Sequence, residues 1–243
     1  MPQDQPSSTD QDRGARERSR GLLYGRRKGK TLRANRRAAY ETGQARFALD
    51  LSIPCADPRA LFGQPIEALA MEIGFGGGEH LLHQLSDKPS SGFIGCEPFV
   101  NGMARLLEGA CQHPGAARLR THEGDARDVL RWLPPRCLAI VYLLYPDPWP
   151  KLRHEKRRFI AGDTLSLFAR VLEVGGELRL ATDIEVYKQT ALKAVHADSR
   201  YRIGTRNPAE AWPDWAGTRY EAKALREGRQ PSYFSFFLEN VAR

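Results

Sequence analysis

The segment from residue 145 to residue 151 places an acid between two prolines, beside aromatic rings and cations. Asp147 lies between Pro146 and Pro148 and comes soon after an apolar run, residues 138–144, that predicts a buried strand. Proline cannot continue a strand ladder and keeps its predecessor extended, so Asp147 is expected on a stiff turn at a strand's carboxyl end. Open α/β sheets bind ligands at that edge. The segment therefore suits a nucleotide or a nucleic-acid base, and the alternative is a proline-rich loop with a solvated charge run.

Three glycines indicate a second ligand-binding turn, between a predicted strand and a predicted helix. Gly74, Gly76 and Gly78 leave room for backbone amides to approach a ligand closely. The dinucleotide fingerprint requires a third glycine where this chain has Glu79, whose carboxylate would face a pyrophosphate. An NAD-dependent oxidoreductase is therefore disfavoured. Glu72, the acid before the glycines, suits a ligand that carries a positive charge.

Two more acids follow the next two predicted strands. Glu97 comes 23 residues after Gly74, where a carboxylate accepts hydrogen bonds from the two hydroxyls of a ribose. Asp125 follows the third strand, where an aspartate accepts from an adenine amino group; the alternative is that it only caps the next helix. Acids and glycines at successive strand ends predict S-adenosylmethionine as the cofactor, and no metal is expected.

The elements that must position these residues alternate between strand and helix. Strands are predicted at 68–74, 92–97, 119–122, 137–144, 175–181 and 232–238, and helices at 79–85, 100–111, 126–133, 157–172, 184–196 and 220–227. This alternation predicts an α/β fold with a mostly parallel sheet, helices on both faces and an antiparallel last strand. We expect a disordered tail at residues 1–20, a basic, turn-rich lead-in at 21–66 and the catalytic domain at 67–243.

Positive charge is concentrated near the amino end. The chain of 243 residues has a net charge of +8, and eleven of its 37 Lys and Arg residues, but only two of its 29 acids, lie between residues 16 and 46. Such a cluster is typical of an arm that contacts a phosphate backbone, so a nucleic acid is the predicted partner. The alternative is a basic tail that only aids solubility.

Composition disfavours several other classes of protein. No apolar run approaches the roughly 20 residues of a membrane helix, and the amino-terminal residues lack the apolar segment of a secretory signal. The four cysteines are scattered without a C-x-x-C pair, which predicts reduced thiols in a cytoplasmic protein and disfavours zinc.

With these motifs in view, the chain resembles the bacterial tRNA (guanine-N7-)-methyltransferases of the TrmB type. The most specific motifs are the segments 71–79, 145–151, 181–183 and 218–223. The resemblance implies a class I, Rossmann-like methyltransferase with a seven-stranded sheet that methylates the variable-loop guanine of tRNA. It implies cofactor contacts at Glu72, Glu97, Asp125 and Asp147. It implies tRNA contacts at Lys151, Asp183, Thr218, Arg219, Tyr220 and Glu221. Pro150 departs from the polar residue that many relatives have before the lysine, which affects the expected path of Lys151.

The chemistry expected at Asp147, the predicted catalytic residue, follows from the target atom. Guanine N7 has an in-plane lone pair and no proton to lose, so alignment and electrostatics should dominate over general-base catalysis. Asp147 is expected to hold the base and offset its developing charge, while Trp149 or Tyr145 either stacks on the purine or packs the turn. Asp183 and Glu221 are candidates to accept hydrogen bonds from guanine N1–H and its amino group. Five cations are expected to bind the phosphates that flank the target guanine: Lys151, Arg153, Lys156, Arg157 and Arg158.

Two other functions stay open on the residues alone. An amino-nitrogen methyltransferase carries an Asn/Asp-Pro-Pro-aromatic turn at the same strand end, but here Trp149 directly follows a single proline. A nonenzymatic RNA-binding protein on a methyltransferase scaffold is the other alternative, and the intact glycines and Glu97 count against it.

Overall fold

A mostly parallel sheet of seven strands is the frame of the described part of the chain. The computed structural model describes residues 27–240, so the predicted disordered tail and the first basic residues of the arm lie outside the described residues. The strand order is β3-β2-β1-β4-β5-β7-β6, and β7 runs antiparallel to both of its neighbours. The strands are β1 (Ala68–Ile73), β2 (Ser91–Cys96), β3 (Leu119–His122), β4 (Leu138–Leu144), β5 (Leu172–Thr182), β6 (Tyr201–Ile203) and β7 (Ser232–Leu238). The predicted fold class and the antiparallel last strand are confirmed.

Helices cover both faces of the sheet, as predicted. They are α1 (Ala34–Phe47), α2 (Glu79–Asp87), α3 (Val100–Ala110), α4 (Ala126–Trp132), α5 (Gly162–Val171), α6 (Glu185–His196) and α7 (Arg219–Arg226). Side chains of β1 alternate between the faces because successive residues of a strand point in opposite directions. Leu69 and Met71 pack with α4, α5 and α6, whereas Ala70 packs in a second core with α1, α2 and α3. Strand β1 therefore buries apolar side chains on both faces of the sheet.

The connections create a binding crevice between β1 and β4. The chain steps outward from β1 to β2 and β3, returns to pair β4 with the other edge of β1, and then continues outward to β5. Open α/β sheets bind ligands at the carboxyl ends of the strands where the winding reverses in this way. The segments after β1, β2, β3 and β4 meet at this edge.

The basic lead-in contains a helix that the sequence interpretation missed. Helix α1 lies where residues 21–66 were expected to be turn-rich. Its contact with α3 is close at Gly43, where an added Cβ would lie 2.7 Å from Leu107 Cβ. Phe47 is completely buried in the core shared with α3, and the Tyr40 hydroxyl donates to Glu123 at 2.7 Å. Packing against the domain stabilises this otherwise polar helix.

Two further boundaries differ from the predicted ones. The helix expected at 157–172 begins only at Gly162, because residues Leu152–Arg157 form a 3-10 helix and Arg158 turns into the interior. The Thr164 hydroxyl accepts the Ala161 N–H at 3.0 Å, which fixes the start of α5. Strand β5 begins at Leu172 instead of 175, and β6 was not predicted because three residues carry almost no periodic signal.

Candidate functional site

A cavity of about 350 Å³ opens at the carboxyl edge of the sheet, in the crevice between β1 and β4. Five of the predicted cofactor-binding residues line it: Gly74, Gly76, Glu97, Asp125 and Asp147. Three arginines contribute positive charge to its wall: Arg27, Arg127 and Arg157. Among residues 27–240, no group of three or more His, Cys, Asp or Glu side chains could hold a metal ion. No helix within the same range is long and apolar enough to cross a membrane.

The glycine turn joins β1 to α2 in a conformation that requires glycine. Gly76 has φ 60° and Gly78 has φ 79°, in the left-handed region that other residues rarely adopt. The Gly76 N–H donates to Glu97 Oε2 at 2.7 Å, which ties the turn to the end of β2. Gly78 does not line the cavity; an added Cβ there would lie 2.4 Å from a methyl carbon of Leu106. Gly78 thus allows close helix packing behind the turn.

Glu97 is held in the cavity wall by two backbone hydrogen bonds. Its carboxylate accepts the N–H groups of Gly76 at 2.7 Å and Phe99 at 2.9 Å, one on each oxygen. Burial, with a smaller contribution from the nearby carboxylates of Asp147 and Glu72, raises the pKa of Glu97 to about 7 against the two backbone hydrogen bonds that lower it. Each oxygen keeps a lone pair for a ligand hydroxyl.

Asp125 both lines the cavity and caps α4. Its side chain accepts the Arg127 N–H at 2.9 Å and pairs with the Arg127 guanidinium at 3.0 Å. The capping role weighed from the sequence is therefore present. The adenine contact stays a prediction.

Glu72 is placed behind the glycine turn rather than in the cavity wall. Its carboxylate lies 2.8 Å from His80 Nδ1, and both side chains are almost completely buried. The His80 ring packs edge-on against Tyr142, with centroids 4.8 Å apart, and lies near Trp215. Glu72 thus joins β1 to α2, and its predicted direct contact with the cofactor stays a prediction that this arrangement does not favour.

The Asp147 turn, residues 145–150, follows β4 in an unusual backbone conformation. Tyr145 has φ 50° and Trp149 has φ 40°, values that bulky residues adopt rarely. Asp147 lines the cavity and is open to solvent, and partial desolvation raises the pKa of its carboxyl group. Tyr145 and Trp149 also line the cavity, so both are placed where the sequence interpretation expected an aromatic contact.

Helix α7 and its N-cap residue Thr218 carry four of the predicted substrate residues, and these four face different surroundings. Tyr220 lines the cavity, and an added Cβ on Gly76 would lie 3.0 Å from its ring. Thr218 caps the helix by accepting the Glu221 N–H at 3.1 Å. The Arg219 guanidinium lies 3.5 Å from the Glu79 carboxylate.

Glu221 faces the protein interior, where it holds α7 in place. One carboxylate oxygen accepts the Trp215 indole N–H at 2.8 Å and the Thr218 N–H at 3.2 Å, and the other accepts the Tyr233 hydroxyl. A guanine contact would have to displace one of these partners. The predicted contact between Glu221 and the guanine base therefore stays a prediction, and these hydrogen bonds do not favour it.

Asp183 lies in a neighbouring, smaller cavity of about 230 Å³ at the end of β5. It pairs with Arg229 at 2.5 Å. The structure therefore does not bring Asp183 into the same cavity as Asp147.

The expected phosphate-binding cations divide into two groups. Three of them are exposed and therefore accessible to a phosphate, so their predicted role stays a prediction: Lys151, Arg153 and Lys156. Arg157 lies over the Trp149 ring, 4.9 Å from its centroid, in the cavity wall. Arg158 is only 2% exposed, and the prediction that it binds phosphate is wrong because its guanidinium is used inside the protein.

Sequence reasoning missed Arg27 and Phe99, which also line the cavity. Segment 27–30 is fastened beside the cavity through Asn101, which accepts the Gly29 N–H and donates to the Lys30 carbonyl, both at 2.7 Å. Phe99 could have been found from its place two residues after Glu97. Arg27 carried no signal beyond the general charge of the arm.

Acids and a glycine turn at the carboxyl edge of this doubly wound sheet define a class I, Rossmann-like methyltransferase. A family model described as a putative methyltransferase matches residues 67–233. The tRNA (guanine-N(7)-)-methyltransferase of Mesorhizobium japonicum is 45% identical over 239 residues, covering 97% of this chain and 98% of that protein. The enzyme of the same name from Chelativorans sp. is 49% identical over 227 residues, covering 90% and 96%. This chain belongs to the tRNA (guanine-N7-)-methyltransferase family.

A solved structure supports the fold independently. The 16S rRNA methyltransferase KamB superposes with a TM-score of 0.53 over 75% of this chain and 91% of that one, at 12% identity. At this identity the likeness concerns the fold alone. It agrees with the doubly wound, mostly parallel sheet described above.

Proposed function

We propose that this protein transfers the methyl group of S-adenosylmethionine to N7 of guanine in the variable loop of tRNA, in the cytoplasm. The observation that carries the proposal is the placement of Asp147 at a cavity that also holds Glu97, Asp125 and the glycine turn. The activity named for relatives at 45% and 49% identity over nearly the whole chain supports the same assignment.

The cavity fits the methyl donor in the chemistry of its wall. Glu97 would accept from the ribose hydroxyls with the lone pairs that its backbone partners leave free. Asp125 would accept from the adenine amino group, and the backbone of Gly74 and Gly76 would border the remainder of the cofactor. When bound, the cofactor supplies an electrophilic methyl group on a positively charged sulfur. The Asp147 carboxylate in the cavity wall suits that charge.

Asp147 would align the base and balance charge without acting as a general base. Guanine N7 attacks with a lone pair and becomes part of a cationic ring, so no proton has to be removed for the bond to form. A carboxylate on a stiff, proline-bounded turn stabilises the developing charge with little reorganisation. Tyr220, Tyr145 and Trp149 would enclose the base, since all three rings line the same cavity.

The exposed cations of the amino-terminal segment would contact the tRNA backbone. Lys30, Arg33 and Arg37 are all exposed on the segment that leads into and begins α1. Because α1 packs on α3, and segment 27–30 is fastened beside the cavity, these cations would hold the tRNA near the reaction site.

The test of this function is to locate the transferred methyl group. The protein is incubated with an unmodified tRNA transcript and isotopically labelled S-adenosylmethionine. The tRNA is then digested, one portion to nucleosides and one to oligonucleotide fragments, and both are analysed by mass spectrometry. We expect 7-methylguanosine, in a fragment that contains the variable loop. Label in the amino group of adenine instead would favour the amino-nitrogen methyltransferase and contradict the proposal.

Glu97 gives the cofactor site a predicted pH dependence. Because its pKa is about 7, the Glu97 carboxyl group is partly protonated at neutral pH when no ligand is bound. Hydrogen bonds from ligand hydroxyls favour its ionised form. Cofactor affinity should therefore rise with pH through 7, with release of a proton on binding, and should weaken by up to about tenfold per pH unit below 7. Calorimetry at pH 6, 7 and 8, in buffers of different ionisation enthalpy, measures both quantities.

Glu97→Gln is the matched control for this prediction, because it keeps the shape of the side chain and removes its titration. The variant should bind more weakly at pH 8 and lose the part of the pH dependence that depends on Glu97. If wild type and Glu97→Gln show the same pH dependence, the role assigned to this carboxylate is wrong.

A further inference from the structure

The backbone of the Asp147 turn needs support from outside the turn. Tyr145 and Trp149 both have positive φ angles, which costs free energy for residues with large side chains. Three prolines fix φ at positions 146, 148 and 150, but proline leaves ψ free and donates no hydrogen bond. Something must therefore hold the carbonyl groups if Asp147 is to have a defined position.

Arg158 makes those contacts from the interior. Its Nε donates to the Pro148 carbonyl at 3.1 Å and its Nη2 donates to the Trp149 carbonyl at 3.2 Å. Its Nη1 donates to the Thr190 hydroxyl on α6. That hydroxyl in turn donates to the Val186 carbonyl at 2.8 Å, which fixes its orientation. The guanidinium thus connects two successive carbonyls of the turn to a helix on one face of the sheet.

We propose that Arg158 is a positioning residue for methyl transfer, which it serves by fixing the turn that presents Asp147. The proposal rests on the function proposed above. The carbonyls that Arg158 holds belong to the two residues directly after Asp147, so a shift of either carbonyl moves that carboxylate. Arg158 has the wrong location for phosphate binding, since it is 2% exposed and its donors are used within the protein.

The geometry requires arginine rather than any cation. A planar guanidinium can direct separate N–H groups to the two carbonyls and to Thr190 at the same time. A lysine ammonium would keep the charge but presents its donors from a single nitrogen, so it cannot span these three acceptors. Arg158→Lys therefore separates the hydrogen-bonding role from the charge.

Arg118 provides a matched control elsewhere in the protein. It is also a buried arginine that donates to three carbonyls, those of Lys88 at 2.8 Å, Ser91 at 2.7 Å and Leu85. It lies just before β3, at the edge of the sheet opposite the cavity. Arg118→Lys should cause a comparable loss of packing without affecting Asp147.

The experiment compares Arg158→Lys, Thr190→Val and Arg118→Lys with wild type. Rates are measured at saturating tRNA and S-adenosylmethionine and divided by the concentration of molecules that bind cofactor, so that unfolded protein is not counted. We expect kcat to fall about 100-fold in Arg158→Lys and by a smaller factor in Thr190→Val, as for a misplacement of about 1 Å. The tRNA Kd and its salt dependence should stay within about twofold of wild type, and Arg118→Lys should keep the wild-type kcat.

Hydrogen exchange gives a readout that does not depend on turnover. Exchange at the amides of the four non-proline residues of segment 145–151, Tyr145, Asp147, Trp149 and Lys151, should be faster in Arg158→Lys and Thr190→Val than in wild type, and unchanged in Arg118→Lys. An active wild type together with unchanged kcat and unchanged exchange in Arg158→Lys would overturn the positioning role. A wild type that produces no 7-methylguanosine would instead contradict the proposed function, while the exchange measurement would still decide whether Arg158 orders the turn.

Discussion

Replacing Asp147 by alanine is expected to lower kcat by about 100- to 1000-fold, the range that removal of one preorganised electrostatic group costs in other enzymes. The carboxylate lies in the cavity wall at the carboxyl end of β4, where the base and the methyl donor would meet. Affinity for tRNA should change little, because most of the binding free energy comes from phosphate contacts elsewhere. Single-turnover methylation at saturating cofactor measures the effect.

Two more variants separate alignment from charge. Asp147→Asn keeps the size and one acceptor oxygen, so an activity between those of wild type and Asp147→Ala would measure the contribution of the negative charge. Asp87→Ala removes an exposed acid at the end of α2, away from the cavity edge, and should leave kcat unchanged. Wild-type turnover in Asp147→Ala would end the catalytic assignment.

The second large effect is expected from the basic segment. Replacing Lys30, Arg33 and Arg37 together by glutamine removes three exposed cations. If each neutralises one phosphate, the slope of log K against log salt should decrease in magnitude by about 2 to 3. At about 0.1 M salt, the triple variant should therefore bind tRNA a few hundred-fold more weakly than wild type does. At about 1 M salt the difference in affinity should be small, because counterion release contributes little there. Filter binding or fluorescence anisotropy across a salt series measures the slope.

A control with the same change in net charge is available at the opposite edge of the sheet. Lys193, Arg202 and Arg206 are exposed cations on or near α6 and β6, whereas α1 packs beside β3. Their triple replacement by glutamine should leave the salt slope close to that of wild type, and cofactor affinity should be unchanged in both triple variants. Equal slopes in the two triple variants would exclude a specific phosphate contact by the basic segment.

The residues that form the cavity could be predicted because the sequence features that indicate them are local. Glu97, Asp125 and Asp147 each follow a strand that could be recognised from its own apolar residues. Carboxyl ends of parallel strands share one edge, so finding the strands was enough to bring these acids together. The glycine turn was recognisable for the same reason, since its positive φ angles require glycine wherever the rest of the chain lies.

Residues whose roles depend on distant partners were not predictable in this way. Arg158 follows several exposed cations in the sequence, and only its packing against Thr190 of α6 shows that it points inward. Glu221 carries a carboxylate that could accept hydrogen bonds from guanine, yet this carboxylate already accepts them from Trp215 and Tyr233. Helix α1 escaped detection because its buried residues are few, so its amphipathic pattern is weak.

If the lone pair of guanine N7 receives the methyl group, a tRNA without that lone pair is not methylated. A transcript made with 7-deazaguanosine carries C–H in place of N7 and keeps the Watson–Crick edge of every guanine. Label transfer from S-adenosylmethionine is measured on this transcript and on an ordinary one, with the same mass spectrometric digest. We predict full binding of both and methylation of the ordinary transcript alone. Equal methylation of the 7-deazaguanosine transcript would show that N7 of guanine is not the methyl acceptor.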